Sequence, residues 1–157
     1  MGLDMKVEFM TDLLTDAIGR ALTREFGEGY RVYDEEVRQG LERPCFFISC
    51  ENPSERLFLG DRYLRENRFR IMFFPEEESR AKKSCRNTAE RLFGCLRLLD
   101  AQGELFMGRR MNSNIENGIL SFFVSYDTFL YRSSDKAPVM GGMSGRVSAR
   151  SRTQIGG

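Results

Sequence analysis

From Gly60 to Pro75 the chain reads Gly-Asp-Arg-Tyr-Leu-Arg-Glu-Asn-Arg-Phe-Arg-Ile-Met-Phe-Phe-Pro, in which Phe69, Ile71 and Phe73 alternate with Arg68, Arg70 and Met72. Successive side chains of an extended strand point to opposite faces, so a period of two sorts these residues into an apolar face and a charged one. A segment of this kind needs a sheet with one side against a core. A second one, Gly118 to Tyr131, directs Leu120, Phe122, Val124, Tyr126 and Leu130 to one face. Its other face carries Ile119, Phe123, Phe129 and Tyr131, interrupted by Ser121, Ser125 and Asp127. That face is too apolar to stand free, so either the second helix or another subunit is expected to cover it.

Helical periodicity surrounds and separates these strands. Leu13, Leu14, Ala17, Ile18, Ala21 and Leu22 share one face of a helix that Thr11 can cap and Gly27 can end. Whether Met5, Val7 and Phe9 upstream form a short strand or further helical turns, periodicity leaves open. Tyr30 to Val37 and Cys45 to Glu51 read as strands, with Phe46 and Ile48 on one face of the latter and Phe47 on the other. Asn52-Pro53-Ser54 is a turn into Arg56 to Leu59, and these short connections predict antiparallel neighbours. Pro75 followed by Glu76, Glu77 and Glu78 suits a helix start, and an apolar stripe runs from Ala81 through Cys85, Ala89, Leu92 and Leu96 to Leu99. Leu105 to Met111 then reads as a strand, followed by a polar turn around Asn112, Asn114, Asn117 and Gly118. The expected fold is α+β: a mostly antiparallel sheet of about four to six strands packed by two main helices, with an extended basic C-terminal arm.

At 157 residues the chain has room for one core and not for two. Two segments are expected, a body over residues 1–132 and an arm over 133–157 rich in Gly, Ser and Arg. The arm is too poor in apolar residues to fold alone. Residues 132 to 157 carry Arg132, Lys136, Arg146, Arg150 and Arg152 against Asp135, a net +4, which leaves −3 on the rest of a chain whose total is +1. Arginine outnumbers lysine 20 to 4, which suits planar ion pairs at interfaces and equally fits a GC-rich coding bias. No apolar run approaches the roughly 18 residues of a membrane span, and the N-terminus, with Asp4 and Glu8, lacks the plan of a signal peptide.

No catalytic, cofactor or metal site is expected. The chain has no histidine, the usual base beside a serine or cysteine nucleophile. Cys45 with Cys50 and Cys85 with Cys95 are spaced neither for local disulfides nor for zinc, so four reduced thiols are expected. Asp34-Glu35-Glu36 and Glu76-Glu77-Glu78 read as surface charge and a helix start, and Gly141 to Gly145 lacks the strand-to-helix setting of a phosphate loop. Arg62, Arg65, Arg68 and Arg70, interleaved with Tyr63 and Phe69, invite a nucleic-acid reading. Against it, Phe69 lies on the face opposite Arg68 and Arg70, so rings and charges on this strand do not share a platform.

The ordered set of segments resembles a known family: an amphipathic helix, Tyr30-Arg-Val-Tyr33, Pro44-Cys-Phe-Phe-Ile48, Leu59-Gly-Asp-Arg-Tyr63, Phe69 to Pro75, a long helix, then Gly118 to Tyr126 with Phe129-Leu130. Over about residues 10 to 132 it is similar to the tail terminator proteins of long-tailed phages and of phage-tail-like contractile particles. The arm after Arg132 does not match that pattern. The resemblance implies a non-enzymatic virion protein, assembled in the host bacterial cytoplasm, whose copies form a hexameric ring on the head-proximal end of the tail tube and stop its growth. Implied partners are other copies of the chain, the tube protein, the sheath protein of a contractile tail, and a neck or connector protein where a head is present; no membrane and no sequence-specific nucleic acid is among them. Candidate interface residues are Arg62, Arg65, Arg68, Arg70, Phe123, Phe129, Tyr131, Arg146, Arg150 and Arg152. The alternatives are a neck or head-completion protein joining head and tail, and a small nucleic-acid-binding module.

Overall fold

A computed structural model describes residues 2–34 and 40–131, with side chains from residue 10. Two helices, α1 (Gly2–Phe26) and α2 (Ala81–Cys95), accompany eight strands: β1 (Arg31–Tyr33), β2 (Cys45–Cys50), β3 (Ser54–Leu59), β4 (Arg62–Phe74), β5 (Leu98–Ala101), β6 (Glu104–Met107), β7 (Arg109–Glu116) and β8 (Ile119–Tyr131). The six-stranded sheet runs β1-β2-β4-β8-β7, with β3 also paired to β4, and β5 and β6 form a separate two-stranded ribbon. This is the α+β architecture that the alternating patterns called for.

The two long strands are its centre. β4 and β8 pair antiparallel from Arg62 opposite Tyr131 to Phe73 opposite Leu120. β2 occupies the other edge of β4 along Phe69 to Phe74, and β3 takes the same edge further back, along Arg62 to Glu66. Both helices lie on the face that carries Phe69, Ile71, Phe73, Phe122 and Val124. Leu14, Ile18 and Leu22 of α1 and Cys85, Ala89 and Leu92 of α2 join those side chains in one buried cluster. The ring of Phe93 meets that of Phe122 edge-on at 4.9 Å, a geometry that places one ring's positive edge on the other's negative face. Arg91 joins the helices by donating from Nη2 to the Glu25 carbonyl at 2.6 Å, near the C-terminus of α1, where a cation is favoured.

Several local expectations need correction. β1 is parallel to β2, with Arg31 opposite Cys45, because the chain returns to the same end of the sheet before β2 begins. The described part of the strand expected over Tyr30 to Val37 is limited to Arg31–Tyr33, and Glu35, Glu36 and Val37 lie outside the described residues. Thr11 is not a cap: α1 extends back to Gly2, and the Thr11 carbonyl accepts a hydrogen bond from the Thr15 hydroxyl at 2.8 Å. Gly27, at φ +91°, does end α1, donating to the Thr23 carbonyl at 2.9 Å.

The second helix is shorter than its apolar stripe. After Pro75 the chain makes one 3-10 turn over Glu78–Arg80 before α2 begins, and α2 stops at Cys95. Leu96 and Leu99 are still buried, but Leu99 serves β5. Two long-range donors end the helix: the Tyr126 hydroxyl bonds to the Leu96 carbonyl at 2.7 Å, and the Gly108 N–H bonds to the Arg97 carbonyl at 2.7 Å. Carbonyls left over at a helix end need such partners. Gly108 also divides the strand expected over Leu105 to Met111 into β6 and β7. Asn112 and Asn114 belong to β7, and the turn consists of Asn117 and Gly118, both at positive φ, as a tight hairpin requires.

Candidate functional site

The site is the sheet face that the helices leave uncovered. Period two puts Arg62, Arg68 and Arg70 of β4 there, and the ladder sets Arg62 opposite Tyr131, Arg68 opposite Ser125 and Arg70 opposite Phe123. The helices pack on the other face, so the helix-covered alternative for Phe123, Phe129 and Tyr131 falls away. Among the described residues, the sheet's own arginines lie over these rings. The Arg62 guanidinium lies 4.9 Å from the centre of Phe129, 5.4 Å from Phe58 and 5.7 Å from Tyr131. Arg68 and Arg70 lie 5.2 Å and 5.8 Å from the centre of Phe123. Rings and charges therefore do share a platform, contrary to the expectation from β4 alone, because the rings come from the neighbouring strand. A guanidinium within about 6 Å of a ring centre is attracted to its electron-rich face.

Polar groups organise the rest. Arg68 Nη1 donates to the Ser125 hydroxyl at 2.9 Å and to the Arg110 carbonyl at 3.3 Å, while Arg110 Nη2 donates to the same Ser125 oxygen at 3.3 Å. Arg70 Nη2 donates to Ser121 at 3.2 Å. Arg110 sits at φ +49° in an irregularity between Arg109 and Asn112 where β7 slips against β8. A positive φ is costly for a long side chain, and such conformations concentrate at binding sites. Burial, and then the nearby Arg110 charge, lowers the pKa of Arg68.

Glu66 and Asp127 stand opposite one another between the Arg62 cage and the Arg68–Arg70 pair. Arg110 reaches Glu66 at 3.3 Å and Arg109 reaches Asp127 at 3.8 Å. Burial, and then the Glu66 carboxylate, raises the pKa of Asp127, whose Oδ1 has no hydrogen-bond partner. In the pH range just above the ordinary Asp pKa of 3.8, the folded chain holds a proton there that the unfolded chain has lost. This group's contribution to stability therefore falls as pH rises through that window. Asp127→Asn is expected to raise stability at pH 7 by about 1 kcal/mol or less, with the gain disappearing below the ordinary carboxylate range. Urea titrations at both pH values check this; a loss at pH 7 would mean that attraction to Arg109 outweighs burial.

The other sequence-level candidates are placed as follows. Arg65 points to the opposite face, where Nε donates to Asn67 Oδ1 at 3.2 Å and a guanidinium nitrogen lies 3.8 Å from Glu55. Arg146, Arg150 and Arg152 lie outside the described residues. Sequence reasoning misses Arg109, Arg110, Phe58 and the serines. Ser121 and Ser125, spaced between the rings of β8, are a usable signal; the backbone slip that swings in Arg110 has none. The described cysteines, Cys45, Cys50, Cys85 and Cys95, are free, and burial raises the pKa of each, that of Cys95 to about 11, which disfavours the nucleophilic thiolate.

Three strands of the sheet have an unpaired edge among the described residues: the short β1, which pairs only with β2, and two longer ones. β7 pairs only with β8, and β3 pairs only with β4. β3 is exposed along its whole length and shows Leu57, Phe58 and Leu59 at 57%, 44% and 67% exposure. An open apolar edge is a template for another chain. Residues 14–138 match a family model described as phage tail terminator protein. No curated protein matches the chain.

Proposed function

The chain belongs to the phage tail terminator family, and from that membership we propose that its copies form a ring, a hexamer in our reading, that caps the head-proximal end of the tail tube and stops polymerisation. The carrying observation is that the match begins in α1 and spans every later element of the fold. A structural role in the phage tail needs contacts rather than chemistry, and the molecule offers surfaces for them. Open edges at β3 and β7 suit head-to-tail contacts, which close into a ring when the rotation between subunits allows it. The aromatic and arginine face around Phe123, Phe129, Tyr131, Arg62, Arg68 and Arg70 suits a second contact, since such residues dominate protein interfaces. Arg65 and the arm residues Arg146, Arg150 and Arg152 complete the proposed interface set.

In this reading the tube protein is the partner at one end, the sheath protein in a contractile tail, and a neck or connector protein where a head is present. The chain acts without catalysis and assembles in the cytoplasm of the bacterial host. Reconstruction of particles made with and without the chain tests it. With the chain, one ring is expected at the tube end distal to the baseplate; without it, tubes become irregular or overlong. Unchanged tubes lacking any such ring would falsify the proposal, and density in the neck away from the tube selects a head-completion role instead.

We further propose that residues 1–132 form the folded body and 133–157 an arm that a neighbouring chain engages. The support is that the periodic elements of the sequence end by Arg132 and the basic arm cannot build a core. A chain ending at Arg132 is expected to unfold cooperatively in urea, with a midpoint close to that of the full chain. Aggregation or an unfolded spectrum at low concentration would assign the arm to the core.

A further inference from the structure

Three guanidinium groups converge around one ring and one hydroxyl. Arg68 and Arg70 lie over Phe123, and Arg68 and Arg110 share the Ser125 oxygen. Like charges this close repel, and Ser125 brings no charge to offset them; Glu66, paired to Arg110 at 3.3 Å, offsets one of the three. Among the described residues neither Arg68 nor Arg70 makes an ion pair, the Glu51 and Glu66 carboxylates act on Arg68 only from farther off, and Arg70 Nε is buried without an acceptor. Arg110, at φ +49°, reaches the cluster from the irregularity in β7. The backbone thus adopts a costly conformation that brings a third cation to two others, an arrangement that gains most when an anion arrives.

We propose that this cluster is a receptor for a single carboxylate presented by an acidic side chain of another tail protein, with Phe123 packing the methylene stem of that residue. The idea rests on reading this face as an assembly surface. The shape of the charge distinguishes a protein carboxylate from a nucleic-acid backbone. A phosphate track requires a continuous run of cations. Here Glu66 and Asp127, in register across the two central strands, interrupt the row between Arg62 and Arg68. A phosphate backbone following the arginines would pass over two acids, whereas one carboxylate can enter at the Arg68–Arg70 end of the cluster, away from the Glu66 that pairs Arg110. Forked donors match the two oxygens of a carboxylate, and the flanking acids repel a partner placed one step out of register.

The test uses the full chain and three probes: a capped decapeptide of alternating glycine and glutamate, its glutamine counterpart, and single-stranded DNA of equal charge. The glutamate peptide is expected to bind in a salt-dependent way and to shift the ring resonances of Phe123, while the glutamine peptide does neither. Arg68→Ala and Arg110→Ala should each weaken binding at least tenfold, and Arg86→Ala, on the exposed side of α2, should leave it unchanged. Arg68→Lys, which keeps the charge and loses the fork, should weaken it severalfold. If Arg68→Ala fails to fold, the ring shifts of the wild-type chain and the Arg68→Lys series still decide. The proposal is overturned by no binding of the glutamate peptide, by equal binding of the glutamine peptide, by binding indifferent to Arg68, or by DNA competing more strongly than the peptide. Any of these outcomes leaves ring formation standing, because the titration does not depend on it.

Discussion

Phe122→Ala is expected to cost about 3 to 5 kcal/mol, whereas Phe123→Ala, one residue along the same strand, costs about 1 kcal/mol. The Phe122 ring is fully buried, packed edge-on against Phe93 between the sheet and α2, and its removal leaves a cavity that rigid neighbours cannot fill. Against a total stability of about 5 to 15 kcal/mol for a domain of this kind, that loss brings the chain near unfolding at ambient temperature. The Phe123 ring is half-buried under Arg68 and Arg70 on the open face, so its removal forfeits cation–π contacts and little packing. Its expected consequence is at least a tenfold weakening of assembly. Urea unfolding of both variants beside sedimentation of their assemblies separates the two. Equal stability losses would refute the two-faced sheet, and a Phe123→Ala chain that is both stable and normal in assembly would remove this face from the interface.

Gly108→Ala should lose about 2 to 3 kcal/mol. A methyl group built there lies 2.8 Å from the Leu96 carbonyl oxygen, 3.1 Å from Val124 Cγ2 and 3.3 Å from Met111 Sδ. The nearest of these cannot retreat freely, because the Tyr126 hydroxyl holds the Leu96 carbonyl at 2.7 Å and Gly108 itself bonds to the Arg97 carbonyl. Gly94 provides the contrast: it lies in α2, and a methyl group added to it would meet nothing within 4 Å, so Gly94→Ala should gain about 0.5 to 1 kcal/mol from helix propensity. Denaturation midpoints at constant slope compare the two. A tolerated alanine at position 108 would show that the junction of α2, β6 and β8 yields more than its hydrogen bonds suggest.

How far the sequence is legible depends on the range of the forces involved. Period two in Arg62–Phe74 and Ile119–Tyr131 sorts side chains by face without any knowledge of partners, and so the core face is readable residue by residue. The α1 stripe and its end at Gly27 are equally local. The end of α2 is not, since a tyrosine thirty residues on accounts for one of its carbonyls. β7 shows the limit of composition, for Asn112 and Asn114 look like turn residues and occupy an exposed edge strand. At the site, Arg62, Arg68 and Arg70 are visible, but the rings beneath them are not, because those depend on register with neighbouring strands, β8 above all. The slip at Arg110 lies further still from any sequence pattern.

The central ladder also governs how the molecule is built in time. β4 finds its inner neighbour only in β8, with Phe73 meeting Leu120 and Arg62 meeting Tyr131, so every residue of α2, the β5–β6 ribbon and β7 must be synthesised before the middle of the sheet can close. Pairings this distant in sequence are slow, because the chain loses loop entropy before the contact stabilises it. On the ribosome β4 waits as an apolar strand with an unpaired edge, the kind of segment that aggregates. Its alternate arginines then act as gatekeepers, keeping one side charged and solvated until β8 emerges. A row of cations that looks like a binding device in the finished particle is, for the nascent chain, the feature that keeps its slowest-pairing strand in solution.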